Sequence, residues 1–72
     1  MKIYAVQRID FYASEHEHND YHYFSTSFDK AKDYVQKKYQ IIINELDEEV
    51  MYDDDYEIGE RFVKIIEIEV DE

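Results

Sequence analysis

The sequence has no cysteine, no proline and a single glycine, Gly59, among its 72 residues. Without cysteine, neither a disulfide framework nor a thiolate zinc site can form, which favours a reducing compartment such as a cytoplasm. With one glycine, the chain has no glycine-rich loop for phosphate or dinucleotide ligands. It also lacks the run of about twenty apolar residues that a membrane-spanning helix needs. We therefore expect a soluble, cytoplasmic protein.

Patterns that carry catalysis are missing as well. No Ser/His/Asp arrangement typical of a nucleophilic enzyme is present. Paired carboxylates perform acid and base chemistry only in a concave site that drives their pKa values apart. A small sheet with one helix offers little concavity. We predict that the protein is not an enzyme and that it has no catalytic residue and no cofactor.

The length predicts a single domain spanning residues 1–72, because a chain of this size cannot bury two cores. Eight tyrosines and four phenylalanines supply much of the apolar surface. A fully covered aromatic ring removes about 150 to 250 Å² from water. Since every tyrosine hydroxyl seeks water or a hydrogen-bond partner, some of the tyrosines are expected at the surface.

Charge is distributed unevenly along the chain. The net charge is -11, from 19 acidic and eight basic residues. Residues 1–44 contain six acids and six bases, whereas residues 45–72 contain thirteen acids and two bases, so the whole excess lies in the last 28 residues. Such a surface repels nucleic acid and membranes and attracts basic protein surfaces. We expect a basic protein partner, no direct nucleic acid binding and no membrane binding.

Three segments have the composition of strands. Residues 2–12 are rich in β-formers, and Tyr21 to Phe24 form a short aromatic segment that can return beside them. Between them, the polar residues 14–20 predict a hairpin tip with Asn19 and Asp20 in the turn. Near the other end, residues 61–70 alternate apolar and acidic side chains, which is typical of a half-buried strand.

The segment from Phe28 has helical periodicity. Thr26 and Asp29 fit a capping box at its start. The apolar residues that follow are spaced by three and four, and they predict one helix that ends near residues 47–49. These positions are Phe28, Ala31, Val35, Tyr39, Ile42 and Leu46. Residues 50–58 are interpreted as an acidic loop or a short irregular strand.

These elements together predict an α+β fold with the order β-β-α-β. We expect an antiparallel sheet of three strands, or alternatively of four, and one long helix packed across one face. The first strand should be central, between its hairpin mate and the last strand.

Two clusters invite a metal interpretation. His16, His18 and His22 lie close together in sequence with acidic neighbours, which is a mixture that could bind zinc or nickel. However, their spacing matches no known site, and a solvated loop is the better interpretation. The run from Asp53 to Glu57 lacks the glycine and the twelfth-position glutamate of a calcium loop. We predict no metal site.

Three stretches of the sequence resemble small proteins of phages and prophages of low-GC bacteria. They are the opening Lys-Ile-Tyr-Ala-Val of residues 2–6, Phe-Ser-Thr-Ser-Phe-Asp-Lys-Ala-Lys-Asp-Tyr-Val of residues 24–35, and Ile-Ile-Glu-Ile-Glu-Val-Asp-Glu of residues 65–72. The resemblance implies a phage accessory setting and a strand-strand-helix-strand order. It supplies no catalytic residues. This chain differs in a longer predicted helix and in the acidic residues that follow it.

Our leading hypothesis is a phage-type accessory protein that inhibits a host nucleic-acid-binding protein or defence enzyme, such as a CRISPR effector or a restriction enzyme. Its acidic surface would act as a DNA mimic, with tyrosines as interface anchors. The predicted partner-binding residues are Glu45, Asp47, Glu48, Glu49, Tyr52, Asp53, Asp54, Asp55, Tyr56 and Glu57. An alternative is a module that self-associates through sheet edges or exposed tyrosines, for example as a homodimer. A weaker alternative is a metal-dependent enzyme that uses His16, His18 and His22.

Overall fold

Among the residues that the structure describes, four antiparallel strands form one sheet, and one helix packs against it. The computed structural model describes residues 1–12, 17–55 and 59–71. In chain order the elements are β1 (Lys2–Tyr12), β2 (Glu17–Ser25), α1 (Phe28–Tyr39), β3 (Val50–Asp55) and β4 (Gly59–Glu69). The strand order across the sheet is β2-β1-β4-β3. β1 therefore lies between β2 and β4, where the sequence places it.

The two long strands β1 and β4 form the centre of the sheet. Their pairing runs without interruption from Lys2 opposite Glu69 to Tyr12 opposite Gly59. The outer strands are less regular, because β2 has a register shift beside Val6 and Gln7 of β1, and β3 has one between Met51 and Asp53. Such bulges place two residues of one strand opposite one residue of its partner and increase the local twist.

The main core lies between α1 and one face of the sheet. Its fully buried members come from β1 and β4, from α1, and from the segment that follows α1. They are Val6, Val63, Ile65, Ala31, Val35 and Ile43. Aromatic rings surround this core, with Tyr23 stacked on Tyr34 at 4.4 Å between ring centroids. Full burial of each large aliphatic side chain contributes about 1.5 to 3 kcal/mol before entropy is subtracted.

The predicted strand count and order are wrong, because residues 50–55 form a paired strand and the order is β-β-α-β-β. The acidic composition of this segment argues for a loop. As the edge strand of the sheet, however, β3 needs only one partner, and its carboxylates reach water. Val50 opposite Val63 and Met51 opposite Phe62 provide the apolar contacts that fix the pairing. The broader prediction of an α+β fold with a helix on the sheet is confirmed.

The predicted long helix is also wrong, because α1 has only 12 residues and ends at Tyr39. Gln40 takes a left-handed conformation with φ 59°, and its N–H still donates to the carbonyl of Gln36. The three β-branched isoleucines that follow favour extended backbone. This turn buries Ile43 and leaves Ile42 65% exposed, so the helical spacing of Ile42 and Leu46 is coincidental.

Two local predictions shift by a few residues. The cap of α1 is Ser27 and not Thr26, since the Ser27 hydroxyl accepts a hydrogen bond from the Lys30 N–H at 3.4 Å. Asn19 and Asp20 lie within β2, opposite Ile9 and Arg8, and so they do not form the hairpin turn. In the described residues, no helix has the length and apolar character needed to cross a membrane.

Candidate functional site

The predicted acidic surface lies along the β3 edge of the sheet. The loop before β3 is tied to β4, because the Asp47 N–H donates to the Ile65 carbonyl at 2.9 Å. This bond and the pairing of β3 align the loop and the strand beside the same stretch of β4. Five of the predicted carboxylates are exposed there, and we call them the acidic edge: Glu45, Asp47, Glu49, Asp53 and Asp54.

The average density of these charges is close to that of one DNA strand. Between Asp47, bonded to Ile65, and Asp54, opposite Glu60, the acidic edge follows β4 over about 17 Å at about 3.3 Å per residue. The four exposed carboxylates from Asp47 to Asp54 give about one charge per 4 Å, compared with one phosphate per about 3.4 Å of helix axis in one strand of duplex DNA. The linear charge density of the edge is therefore similar to that of a phosphate backbone.

Intramolecular partners neutralise little of this charge. Asp53 lies 3.8 Å from the Arg61 guanidinium, which is the outer limit of an ion pair. Asp54 lies directly opposite another carboxylate, Glu60, on the same face of the sheet. Like charges at paired positions destabilise a sheet by up to about 1 kcal/mol. A cationic partner would relieve this repulsion.

The other predicted site residues occupy different environments. Glu48 is half-buried, and its carboxylate accepts the Asn44 N–H at 2.8 Å, so it caps the loop. Tyr52 is also half-buried, with its ring centroid 4.6 Å from that of Tyr39. Burial, followed by the nearby Asp10 carboxylate, raises the pKa of Tyr52. The side chain of Asp55 and the whole of Tyr56 and Glu57 lie outside the described residues.

Basic residues lie on the other side of the molecule. A groove of about 570 Å³ runs between α1 and the outer strand β2. Its lining combines the stacked rings of Tyr23 and Tyr34 with Lys30, Lys37 and Lys38 and with Asp29 and Asp33, and Lys37 is paired with Asp33 at 2.9 Å. Because β2 and β3 form opposite edges of the sheet, this groove and the acidic edge lie on different sides of it.

A polar cluster that the sequence analysis did not identify lies beyond the end of α1. Asp10 is buried with 3% exposure, and its carboxylate lies 3.3 Å from the Arg8 guanidinium. Arg61 is paired opposite Asp10 on β4. Among the described residues, Asp10 Oδ1 and the Nε atoms of both arginines have no hydrogen-bond partner. The spacing of Arg8 and Asp10 by two, in phase with Tyr4 and Val6, could have placed them on the helix-covered face.

The histidines are not brought together in the part of the chain that can be described. His18 lies 2.8 Å from the Asp20 carboxylate, and both side chains are exposed. His22 is half-buried, and burial, followed by the charges of Arg8 and Lys38, lowers its pKa. His16 lies outside the described residues. Within residues 1–12, 17–55 and 59–71, no three His, Asp or Glu side chains are grouped to hold a metal ion.

The face of the sheet opposite α1 is apolar. Paired residues of neighbouring strands share a face, so the register assigns ten apolar side chains to it. We call this set the open face: Ile3, Ala5, Ile9, Phe11, Tyr21, Phe24, Met51, Phe62, Ile66 and Ile68. In the described residues, the helix packs only on the opposite side. Tyr21 and Phe24 are 51% and 56% exposed, which is unusual for an aromatic pair in contact.

Comparison with known proteins gives no family to which this chain can be assigned. No family model, no curated protein and no solved structure matches the sequence or the fold.

Proposed function

We propose that this chain is a non-catalytic binding protein whose acidic edge occupies the nucleic-acid-binding surface of a basic partner protein. The observation that carries the proposal is the row of exposed carboxylates along β3 and its preceding loop, whose average charge per length is similar to that of one DNA strand. A basic groove that tracks phosphates would be attracted to this row and be blocked by it. The phage setting suggested by resemblance is compatible with such inhibition.

The rigid attachment of the edge supports this proposal. A row of charges presents a fixed spacing to a partner only when the backbone that carries it is held in place. Here, β3 is hydrogen-bonded to β4, and the bond between Asp47 and Ile65 fixes the loop. Since the backbone that carries the carboxylates is ordered before binding, the entropic cost of association is reduced.

The test compares two variants with the same net charge. The edge variant combines Glu45→Gln, Glu49→Gln and Asp54→Asn, and the control variant combines Asp29→Asn, Glu69→Gln and Asp71→Asn. All six side chains are exposed, and each variant changes the charge from -11 to -8. Bacterial lysate is passed over each immobilised protein at low salt, and retained proteins are identified and assayed for DNA binding in the presence of the free chain.

We expect the wild type and the control variant to retain a nucleic-acid-binding protein, to lose it when duplex DNA is added, and to inhibit its binding to DNA. The edge variant should lose at least tenfold in retention. Equal retention by the two variants would show that only net charge matters and would reject the proposal. Retention that duplex DNA does not compete would reject the mimicry.

The open face favours a second candidate function, in which the chain is a self-associating module without a nucleic-acid-binding target. Under this alternative the charge serves solubility alone. The edge variant would then associate as well as the wild type, and no partner would be displaced by DNA.

A further inference from the structure

The open face is large enough and apolar enough to need a partner. Antiparallel sheets that leave one face in water normally carry polar side chains on it. Here the two central positions Ala5 and Ile9 are 0% and 3% exposed, although α1 lies on the other side of the sheet. Their cover comes from neighbours on the same face, such as Phe62, whose ring lies 5.5 Å from that of Phe11. These neighbours themselves remain open to solvent.

The area of this face approaches what each partner buries in a stable dimer. The strands have 11, nine, six and 11 residues, and at about 3.3 Å per residue and about 4.8 Å between strands they cover about 590 Å² before side-chain relief is added. Stable interfaces bury about 800 Å² per partner. Monomeric proteins rarely leave a contiguous apolar patch larger than about 300 to 600 Å².

The open face has few charges, and most of them lie at one end. Among the described residues, the register places four charged residues there: Lys64 near the centre, and Glu17, Asp54 and Glu60 at one end. They sum to -2, out of -11 for the chain. Two copies can therefore approach through this face with Asp54 at its margin and the other carboxylates of the acidic edge in water. The apolar stem of Lys64 can lie along the surface while its ammonium reaches solvent.

We propose that a second copy of this chain covers the open face, so that two sheets pack face to face in a symmetric dimer. Two copies have the same twist, and sheets of equal twist pack with their strands about 30° apart and their inner faces interlocked about 10 Å apart. The dimer would be an eight-stranded sandwich with one α1 helix on each outer side. This arrangement uses the face of the sheet, and of the five carboxylates of the acidic edge the register places only Asp54 on that face, so the proposal stands whether or not the edge binds a basic protein.

The experiment measures molecular mass by sedimentation velocity between roughly 1 µM and roughly 200 µM protein at physiological salt. We expect the wild type to reach twice 8.9 kDa. Phe24→Lys places a charge on the open face, and we expect it to raise the dimer dissociation constant at least tenfold. Ile42→Lys is the matched control, because Ile42 is 65% exposed and belongs to the loop on the helix side. The Ile42→Lys variant should dimerise like the wild type.

A second measurement tests the proposal without relying on the folding of the Phe24→Lys variant. Since the sequence has no cysteine, Phe24→Cys and Ile42→Cys each introduce a unique thiol. The labelling rate of the thiol at position 24 should fall as protein concentration rises, and that at position 42 should stay constant. A wild type that is monomeric throughout, or equal behaviour of the two positions, would overturn the proposal. A monomer whose Phe24→Lys variant loses a lysate partner would assign the face to that partner and would also overturn it.

Discussion

Tyr39 shows how a single side chain at the end of α1 responds to its surroundings. Its ring packs against Tyr52, and its hydroxyl is buried without a hydrogen-bond partner among the described residues. Burial raises the pKa of Tyr39 to about 12, because the phenolate is poorly solvated there, and the neighbouring tyrosines add to this effect. The folded protein therefore strongly prefers the neutral phenol.

The pH dependence of stability follows from this preference. In the unfolded chain Tyr39 loses its proton near its ordinary pKa of 10.0, whereas the folded protein keeps it up to about 12. The contribution of Tyr39 to the free energy of unfolding is fully present below pH 10 and is lost as the pH rises towards 12. We expect urea midpoints to fall across this window and Tyr39→Phe to reduce the fall.

Stability of the Tyr39→Phe variant at pH 7 provides the control. Removing an unpaired buried hydroxyl should leave the free energy of unfolding unchanged or slightly higher. A loss of more than about 1 kcal/mol at pH 7 would show that the hydroxyl has a hydrogen-bond partner in solution.

At the scale of single residues, the sequence shows where charge is concentrated, but it predicts less well which side chains are buried. The exposed carboxylates Glu49 and Asp54 are where a charge-rich segment suggests. Whether Tyr52 faces solvent or the core depends on the bulge between Met51 and Asp53, and a bulge in an edge strand has no clear signature in one sequence. Asp10 is buried because its alternation phase matches Val6, and this phase could have been read from the sequence.

Among the elements, the end of α1 determines where the chain turns towards β3. Gln40 occupies the left-handed region at φ 59°, which a residue with a Cβ adopts at a cost. The turn directs Ile43 into the core beside Val35 and allows the following loop to reach β4.

Gln40→Gly tests this boundary. If the helix ends at Tyr39, glycine relieves the left-handed conformation, and we expect the free energy of unfolding to rise by about 0.5 kcal/mol. If the helix continued to residues 47–49, as its apolar spacing suggests, the same substitution would cost about 1 kcal/mol. Urea denaturation distinguishes the two because the signs differ. Gln36→Gly, within the helix, is the control and should be destabilising by about 1 kcal/mol.

The elements that the sequence predicts well have one dominant signal. β1 and β4 are long segments rich in β-branched and aromatic residues, and the predicted position of α1 is correct at Phe28. β3 was ambiguous because Asp53, Asp54 and Asp55 have low strand propensity, and the pairing with β4 overrides this local preference. The end of α1 was missed because no glycine or proline marks it.

For the molecule as a whole, the separation of charge has an effect on stability. The acidic edge concentrates like charges on one side of a small sheet, and self-repulsion destabilises a compact state. At physiological salt, charge interactions fall off within about 8 Å, so the repulsion acts mainly between neighbouring carboxylates of the edge.

Added salt should therefore stabilise the protein. Raising the ionic strength from about 0.01 M to about 0.15 M shortens the screening length from about 30 Å to about 8 Å. We expect the urea midpoint to rise over this range, and the edge variant to lose most of the increase. The measurement is made in the Phe24→Lys background so that association does not contribute. An equal rise in the edge and control variants would show that the charge acts through its total and not through its position.

The overall layout could be predicted only in part because it depends on register. The alternation of Ile66 and Ile68 with acids predicts one buried face of β4, yet Val63 and Ile65 make the opposite face the main core. A strand with apolar residues on both faces indicates cover on both sides. This pattern, visible between Arg61 and Ile68, is the signal for the open face that the sequence analysis did not use.

The central pair of strands also affects the order in which the chain can fold during synthesis. β1 is made first, but its long partner β4 lies at the far end of the described chain, with Lys2 opposite Glu69. At about 5 to 20 residues per second, a ribosome needs several seconds to deliver β4 after β1 has emerged. During that interval β1 and β2 lack β4, which pairs with β1 along its whole length. Nascent chains should therefore be recognised by chaperones that bind extended apolar segments until β4 has left the ribosome.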